Sequence, residues 1–240
     1  MAATNPLNIW LKSFRDLSRL VYPENCIICS SEMPSDEQFV CGFCKNELPY
    51  THYEKFTDAT PLDKMFWGRI EVESTYSMLH FQKESSSQQL LHELKYGNNH
   101  KLGLFLGALI GERLMDKHKS TDIDLLIPVP IHHRKAFTRG YNQSFLLAKG
   151  IGSILNIPVS GDTMLKTRHG SSQTRKGRFL RWDNVQEMFT YGRPIDPGVR
   201  HIAFVDDVVT TGATLESLIR SFKEKYPDIR VSVISLAVTK

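Results

Sequence analysis

Long hydrophobic runs are absent from these 240 residues. No stretch approaches the roughly 20 consecutive apolar residues that a membrane-spanning helix needs, so insertion into a bilayer is not expected. The N-terminal apolar pattern is broken by Lys12, Arg15 and Asp16. It therefore lacks the uninterrupted core of a signal peptide, and a cytoplasmic address is the expectation. A strong charge of either sign is missing as well: the net charge is +4, too small to argue nucleic-acid binding by itself. Low-complexity segments and long internal repeats are lacking. Cysteine is scarce, with four in all, and none lies outside residues 26–44. A lysine after the phosphate-loop glycine is lacking too, which argues against a Walker-type nucleotide loop. What is present is the composition of a globular chain, 41% hydrophobic and 23% charged, long enough for one ordinary domain and a small appendage.

Residues 202–214 read Ile-Ala-Phe-Val-Asp-Asp-Val-Val-Thr-Thr-Gly-Ala-Thr. The apolar run predicts a buried strand, and Leu215, Leu218, Ile219 and Phe222 fall at helical spacing behind it. Ligands of open α/β sheets bind at the carboxyl ends of strands, which places a site in this loop. Small residues, hydroxyls and free backbone N–H groups leading into a helix suit a phosphate. Asp206 and Asp207 would repel that phosphate; they suit sugar hydroxyls or a divalent cation. Phosphate and vicinal hydroxyls together describe a ribose 5-phosphate. The segment resembles the signature of the type I phosphoribosyltransferases.

The cysteines form two Cys-x-x-Cys knuckles, Cys26 with Cys29 and Cys41 with Cys44, eleven residues apart. Four thiolates can wrap a tetrahedral zinc ion in a closed, structural site. Disulfides and a thioredoxin-like redox site are the alternatives; both are weaker without a secretory context or a strand leading into either motif. Ahead of the knuckles, Asn5 and Pro6 can start a helix with Leu7, Trp10, Phe14, Leu17 and Val21 on one face.

Elsewhere, residues 45–65 read as a linker and 69–81 as strand. Residues 88–96, 102–114 and 142–154 read as helices, 124–130 as a buried strand closed by prolines, and 229–238 as a last strand. Strands alternating with helices imply a mostly parallel α/β sheet with helices on both faces. The expected organisation is 1–50 for the N-terminal helix and zinc module, 51–85 for a linker and first strands, and 86–240 for the main domain. The loop after 124–130 carries Arg134, Lys135 and Arg139 with Gly140, a set able to meet a polyanion. A second basic stretch, 168–184, is rich in Gly and Ser and suits a lid or a nucleic-acid contact. Lys95, at the end of a helix, reads as a complement to the helix dipole.

Taken in order, the knuckles, the Leu-Lys-Tyr at 94–96, the Pro-Val-Pro at 128–130, the Arg-Gly-Tyr-Asn-Gln at 139–143, Gln173 with Arg181 and Asn184, and the Asp-Asp loop are similar to the ComF family. That family is a phosphoribosyltransferase-like branch tied to natural transformation in bacteria. Tyr141 stands where the family usually has Phe. The resemblance covers nearly the whole chain. It implies a type I phosphoribosyltransferase-like fold with a small zinc module, and binding of phosphoribosyl pyrophosphate (PRPP) with Mg²⁺. It also implies a competence helicase-like partner and single-stranded DNA as a further ligand. Thr210, Thr211, Gly212, Ala213 and Thr214 would hold the 5-phosphate, and Asp206 and Asp207 would face the ribose. Arg139 and Gly140, with Arg134 as a weaker contributor, would meet pyrophosphate. The resemblance adds Gln143, Gln173, Arg181 and Asn184 to the site. A non-catalytic PRPP sensor and a single-stranded DNA binder with a vestigial pocket are the alternatives to a transferase.

Overall fold

The structure, a computed structural model, describes residues 25–34, 38–115, 122–167 and 188–239. The expected N-terminal helix, together with Gln173, Arg181 and Asn184, lies outside the described residues. Two compact units result, Met1–Leu48 and Pro49–Lys240.

In the first unit the chain turns back at an antiparallel bridge between Asn25 and Glu32. A short helix, α1 (Gly42–Asn46), runs through the second knuckle; its N-cap Cys41 accepts the Cys44 N–H. Cys26, Met33, Val40, Cys44 and Leu48 are buried.

The second unit opens with a 3₁₀ turn, Tyr53–Lys55, and α2 (Pro61–Phe66). α2 begins where it does because Thr60 and Asp63 close a capping box and Pro61 occupies the first turn, where its missing N–H costs nothing. Next come β1 (Thr75–Phe81), α3 (Ser86–Tyr96), α4 (His100–Met115), β2 (Leu125–Pro128), α5 (His133–Arg139) and α6 (Gln143–Leu155). The chain ends with β3 (Met164–Lys166), β4 (Phe189–Tyr191), β5 (His201–Val209), α7 (Ala213–Lys225) and β6 (Arg230–Thr239).

The main sheet has the order β1-β6-β5-β2, every pair parallel. Its strands are buried over most of their length, which is why the runs at 124–130 and 202–205 read as apolar without alternation. Leu126 makes a further parallel bridge to Val159, so the chain after α6 returns at the outer side of β2. β3 and β4 form a separate antiparallel pair. The expected parallel sheet flanked by helices is the observed architecture.

Strand order fixes where a ligand can sit. After β2 the chain travels outward through α5 and α6 to Val159; after β5 it travels the other way through α7 to β6. The carboxyl ends of β2 and β5 are therefore adjacent ends whose crossovers diverge, leaving a crevice between their loops. α6 packs over β2 and β5 and is itself covered by α4. That helix pair is unusually close: a Cβ on Gly107 would lie 2.2 Å from the Leu147 carbonyl, and one on Gly150 2.2 Å from that of Leu104. Under α7, Phe222 meets Phe204 of β5 edge to face with centroids 5.4 Å apart.

Candidate functional site

At the switch point the structure has a cavity of about 350 Å³. Its floor is the end of β5. The strand buries Phe204 and Val205; past Pro128, where β2 ends, it stays paired with β6 as far as Val209 and carries two mostly buried carboxylates that line the cavity, Asp206 and Asp207. One wall is the N-terminus of α6. Asn142 caps that helix by accepting the Ser144 N–H at 3.1 Å, and its amide donates to the Val129 carbonyl at 3.1 Å, tying α6 to the end of β2. Gln143 and Ser144 are thereby held over the acids.

Asp206 Oδ1 accepts the Ser144 hydroxyl at 3.2 Å and the Asp207 N–H at 2.9 Å. Burial, with the Asp207 charge as the second cause, pushes the Asp206 carboxyl up to about 7; the Asp207 N–H, Ser144 and Lys95 act against the rise. Asp207 pairs with Lys95, whose Nζ lies 3.0 Å from Oδ2 with both side chains mostly buried, 20% and 13% exposed. Lys95 thus does more than complement the dipole of α3. At the preceding residue, the Tyr141 hydroxyl donates to the Leu94 carbonyl at 2.6 Å and fastens the end of α3 to the loop before α6.

Four cationic heads line the cavity: Lys95, Lys135, Arg139 and Lys166. Arg139 donates to Gln143 Oε1 at 3.0 Å and lies 5.7 Å from the centroid of the Tyr96 ring. Burial first, then the charge of Lys135, pull the Lys166 ammonium below its ordinary value, with Asp206 opposing. Gln143 is 1% exposed and its Nε2 is buried without a hydrogen-bond partner. Such a group costs free energy unless something polar enters the crevice to meet it.

Of the residues expected in the site, Asp206, Asp207, Thr214, Arg139 and Gln143 line this cavity together. Thr210, Thr211, Gly212 and Ala213 form the turn leading into α7 beside it, with Gly212 in the left-handed conformation (φ 72°) as the N-cap. Arg134, in the first turn of α5, and Gly140, its left-handed C-cap, do not line the cavity. Lys166, Ser144 and Lys135 join it, as do His132 and Met188. Lys166 and Met188 come from either side of the β3–β4 pair. No local motif marks them; the antiparallel register of two three-residue strands brings them in.

In the other unit, the four Cys Sγ atoms lie within 4.8 Å of one another, and Cys29 and Cys41 are 3.7 Å apart. Sulfurs bound at about 2.3 Å around a tetrahedral zinc would be separated by about 3.8 Å, so the cluster fits the metal. Cys26 Sγ accepts the Cys41 N–H at 3.4 Å and Cys41 Sγ accepts the Cys44 N–H at 3.5 Å, contacts that stabilise thiolates. None of the four is in a disulfide. Among the described residues no helix is long and apolar enough to cross a membrane.

No family model matches the chain. It is similar to the DNA utilization protein YhgH of Escherichia coli (strain K12), 26% identical over 196 residues, 80% of this chain and 81% of the relative. It is similar also to competence protein F of Haemophilus influenzae, 26% identical over 196 residues, 80% of this chain and 82% of the relative. Among solved structures, the hypoxanthine-guanine phosphoribosyltransferase of L. donovani aligns with a TM-score of 0.31 at 16% identity, covering 63% of this chain and 67% of that one. The adenine phosphoribosyltransferase of Leishmania tarentolae aligns with a TM-score of 0.34 at 12% identity, covering 70% and 93%. The fold assignment rests on the strand order and the switch point described above.

Proposed function

We propose that this homologue of competence protein F and of DNA utilization proteins binds PRPP and Mg²⁺ in the β2–β5 crevice and acts in natural transformation or DNA uptake. The observation that carries the reading is the charge pattern: four cations ring a cavity whose floor holds two carboxylates. A simple anion site has no use for the acids, and a simple cation site has no use for the ring. A diphosphate joined to a sugar bearing vicinal hydroxyls uses both. Gln143, a lining residue whose buried amide nitrogen has no partner, adds an unused donor beside the cavity.

In this reading the N–H groups and hydroxyls of Thr210 to Thr214 receive the 5-phosphate at the N-terminus of α7. Asp206 and Asp207 accept hydrogen bonds from the ribose hydroxyls. Arg139, Lys135 and Lys166 meet the pyrophosphate; Arg134 and Gly140, outside the cavity lining, have no direct part in it. Asp206 and Asp207 are the residues that would help hold Mg²⁺, and the ion would supply charge neutralisation for the leaving group. Transfer to an acceptor then demands that the C1–oxygen bond to pyrophosphate break, the electron pair leaving with the diphosphate. The carboxylates favour the cationic sugar that develops, and the cations favour the departing anion. Zinc in the cysteine cluster serves structure, since four thiolates leave no open position.

A second ligand has its own observation. Tyr96 is 63% exposed and Phe137 93% exposed, on the two elements that supply Lys95, Lys135 and Arg139. Exposed aromatic rings interleaved with cations suit the stacked bases of single-stranded DNA. A helicase-like protein is the partner that a role in transformation implies.

Calorimetric titration of the zinc-loaded protein with PRPP, with and without Mg²⁺, tests the reading. Saturable binding lost in the Asp206→Asn/Asp207→Asn protein is expected. A heat that the double substitution leaves unchanged would remove the assignment.

A further inference from the structure

The turn between β5 and α7 is pinned from outside, by its carbonyls. Thr239 Oγ1 donates to the Thr210 carbonyl at 3.2 Å. The Arg69 Nη1 donates to the Thr211 carbonyl at 2.9 Å, and to that of Met65 at 3.1 Å. A planar trans peptide carries its C=O and its N–H on opposite sides. Fixing these two carbonyls therefore turns the N–H groups of Thr211 and Gly212 away from Arg69 and Thr239. Gly212, at φ 72°, lies in the left-handed region, and a glycine there leaves the peptide before it more freedom to rotate than another residue would. Behind the turn, a Cβ on Gly212 would lie 2.9 Å from Phe66 Cε1, so α2 backs the same peptide.

Arg69 makes a second set of contacts. Its Nε donates to Glu216 Oε2 at 2.9 Å and its Nη2 donates to the same carboxylate. Arg220 closes the cluster, donating to Glu216 Oε1 at 2.9 Å and to the Arg69 carbonyl. Glu216 lies in the first turn of α7. A carboxylate there suits the helix dipole but opposes a phosphate dianion at the same N-terminus. Burial pushes the Glu216 carboxyl up, yet the hydrogen bonds and charges of Arg220 and Arg69 outweigh it and hold the group below the ordinary carboxylate range.

We propose that Arg69 is the positioning residue of the phosphate turn: its guanidinium fixes the Thr211–Gly212 peptide with the N–H facing the site and neutralises Glu216, so that the turn accepts a terminal phosphate monoester. This rests on the PRPP reading. Arg69 touches no substrate in it; it acts through the turn. Without the guanidinium, the peptide is free to rotate and present a carbonyl oxygen to the phosphate, which repels it.

The test uses two probes on the full zinc-loaded chain. Ribose 5-phosphate reports the phosphate turn, and magnesium pyrophosphate reports the cation ring. Arg69→Met should weaken ribose 5-phosphate binding about 10-fold or more, the equivalent of losing one or two charge-assisted hydrogen bonds, and leave pyrophosphate binding unchanged. The Arg69→Met/Glu216→Gln protein removes the charge that Arg69 compensates. Its melting temperature should return towards wild type while its ribose 5-phosphate affinity stays low. The double variant also covers failure of the single one to fold. Wild-type affinity for ribose 5-phosphate in Arg69→Met overturns the inference and leaves the PRPP reading standing. Recovery of that affinity in the double variant reduces Arg69 to a counter-charge and overturns the peptide-fixing role. Failure of the wild-type protein to bind either probe overturns both.

Discussion

Replacing Asp206 by Asn should stabilise the ligand-free protein at alkaline pH. The carboxyl, ordinarily near 3.8, is pushed up to about 7, by burial first and by Asp207 second. Between those two values the folded chain holds a proton that the unfolded chain has released. Stability from this group is therefore complete below about pH 4 and is lost as pH rises through 7. Three pH units at about 1.4 kcal/mol each set an upper bound of about 4 kcal/mol, and relaxation of the site with Asp207 makes about 2 kcal/mol the working figure. Asn keeps an oxygen to accept from Ser144 and from the Asp207 N–H, and carries no charge to desolvate. Urea unfolding of both proteins at pH 5 and pH 8, in magnesium-free buffer, measures the difference. The Asn protein should gain about 1–3 kcal/mol on wild type between the two pH values. Parallel stability at both would refute the assignment of a costly charge at this position.

Lys95→Met should destabilise the chain by about 2 kcal/mol at pH 8, because it leaves the mostly buried Asp207 carboxylate without its cation; thermal melts of the single variant and of Lys95→Met/Asp207→Asn check it, the second regaining stability. Gly107→Ala should cost about 2–3 kcal/mol in urea unfolding, since its Cβ would sit 2.2 Å from the Leu147 carbonyl and push α4 off α6. Metal analysis should find one zinc per chain, and cobalt substitution should give the thiolate charge-transfer and tetrahedral d–d bands of a four-sulfur site; Cys44→Ser should lose them.

Much of this arrangement was legible in sequence because it is local. The run before Asp206 is buried on both sides in a central parallel strand, so it reads apolar without alternation. The acids end it because β2 stops at Pro128, opposite Val205, while β5 runs on beside β6 along the cavity. The same holds for the knuckles, which lie within residues 26–44 and are closed on each other by the Ile27 N–H on the Phe39 carbonyl. What was not legible comes from contacts across the fold. Lys95 sits at the end of a helix, where a lysine is unremarkable; the packing of that helix end, to which the Tyr141 hydroxyl is fastened at the Leu94 carbonyl, sets it against Asp207. Lys166 reaches the cavity through the β3–β4 register, which no periodicity announces in strands of three residues. Arg69 lies in a stretch that reads as the start of strand structure, yet its side chain is spent on a turn far along the chain.

The crystal structure of the zinc-loaded protein with PRPP and Mg²⁺ tests the central claim most directly. The account predicts the 5-phosphate on the N–H groups of residues 210–214, the ribose hydroxyls on Asp206 and Asp207, and the diphosphate beside Lys135 and Arg139. An empty crevice at saturating PRPP, or PRPP bound away from the ends of β2 and β5, would contradict it.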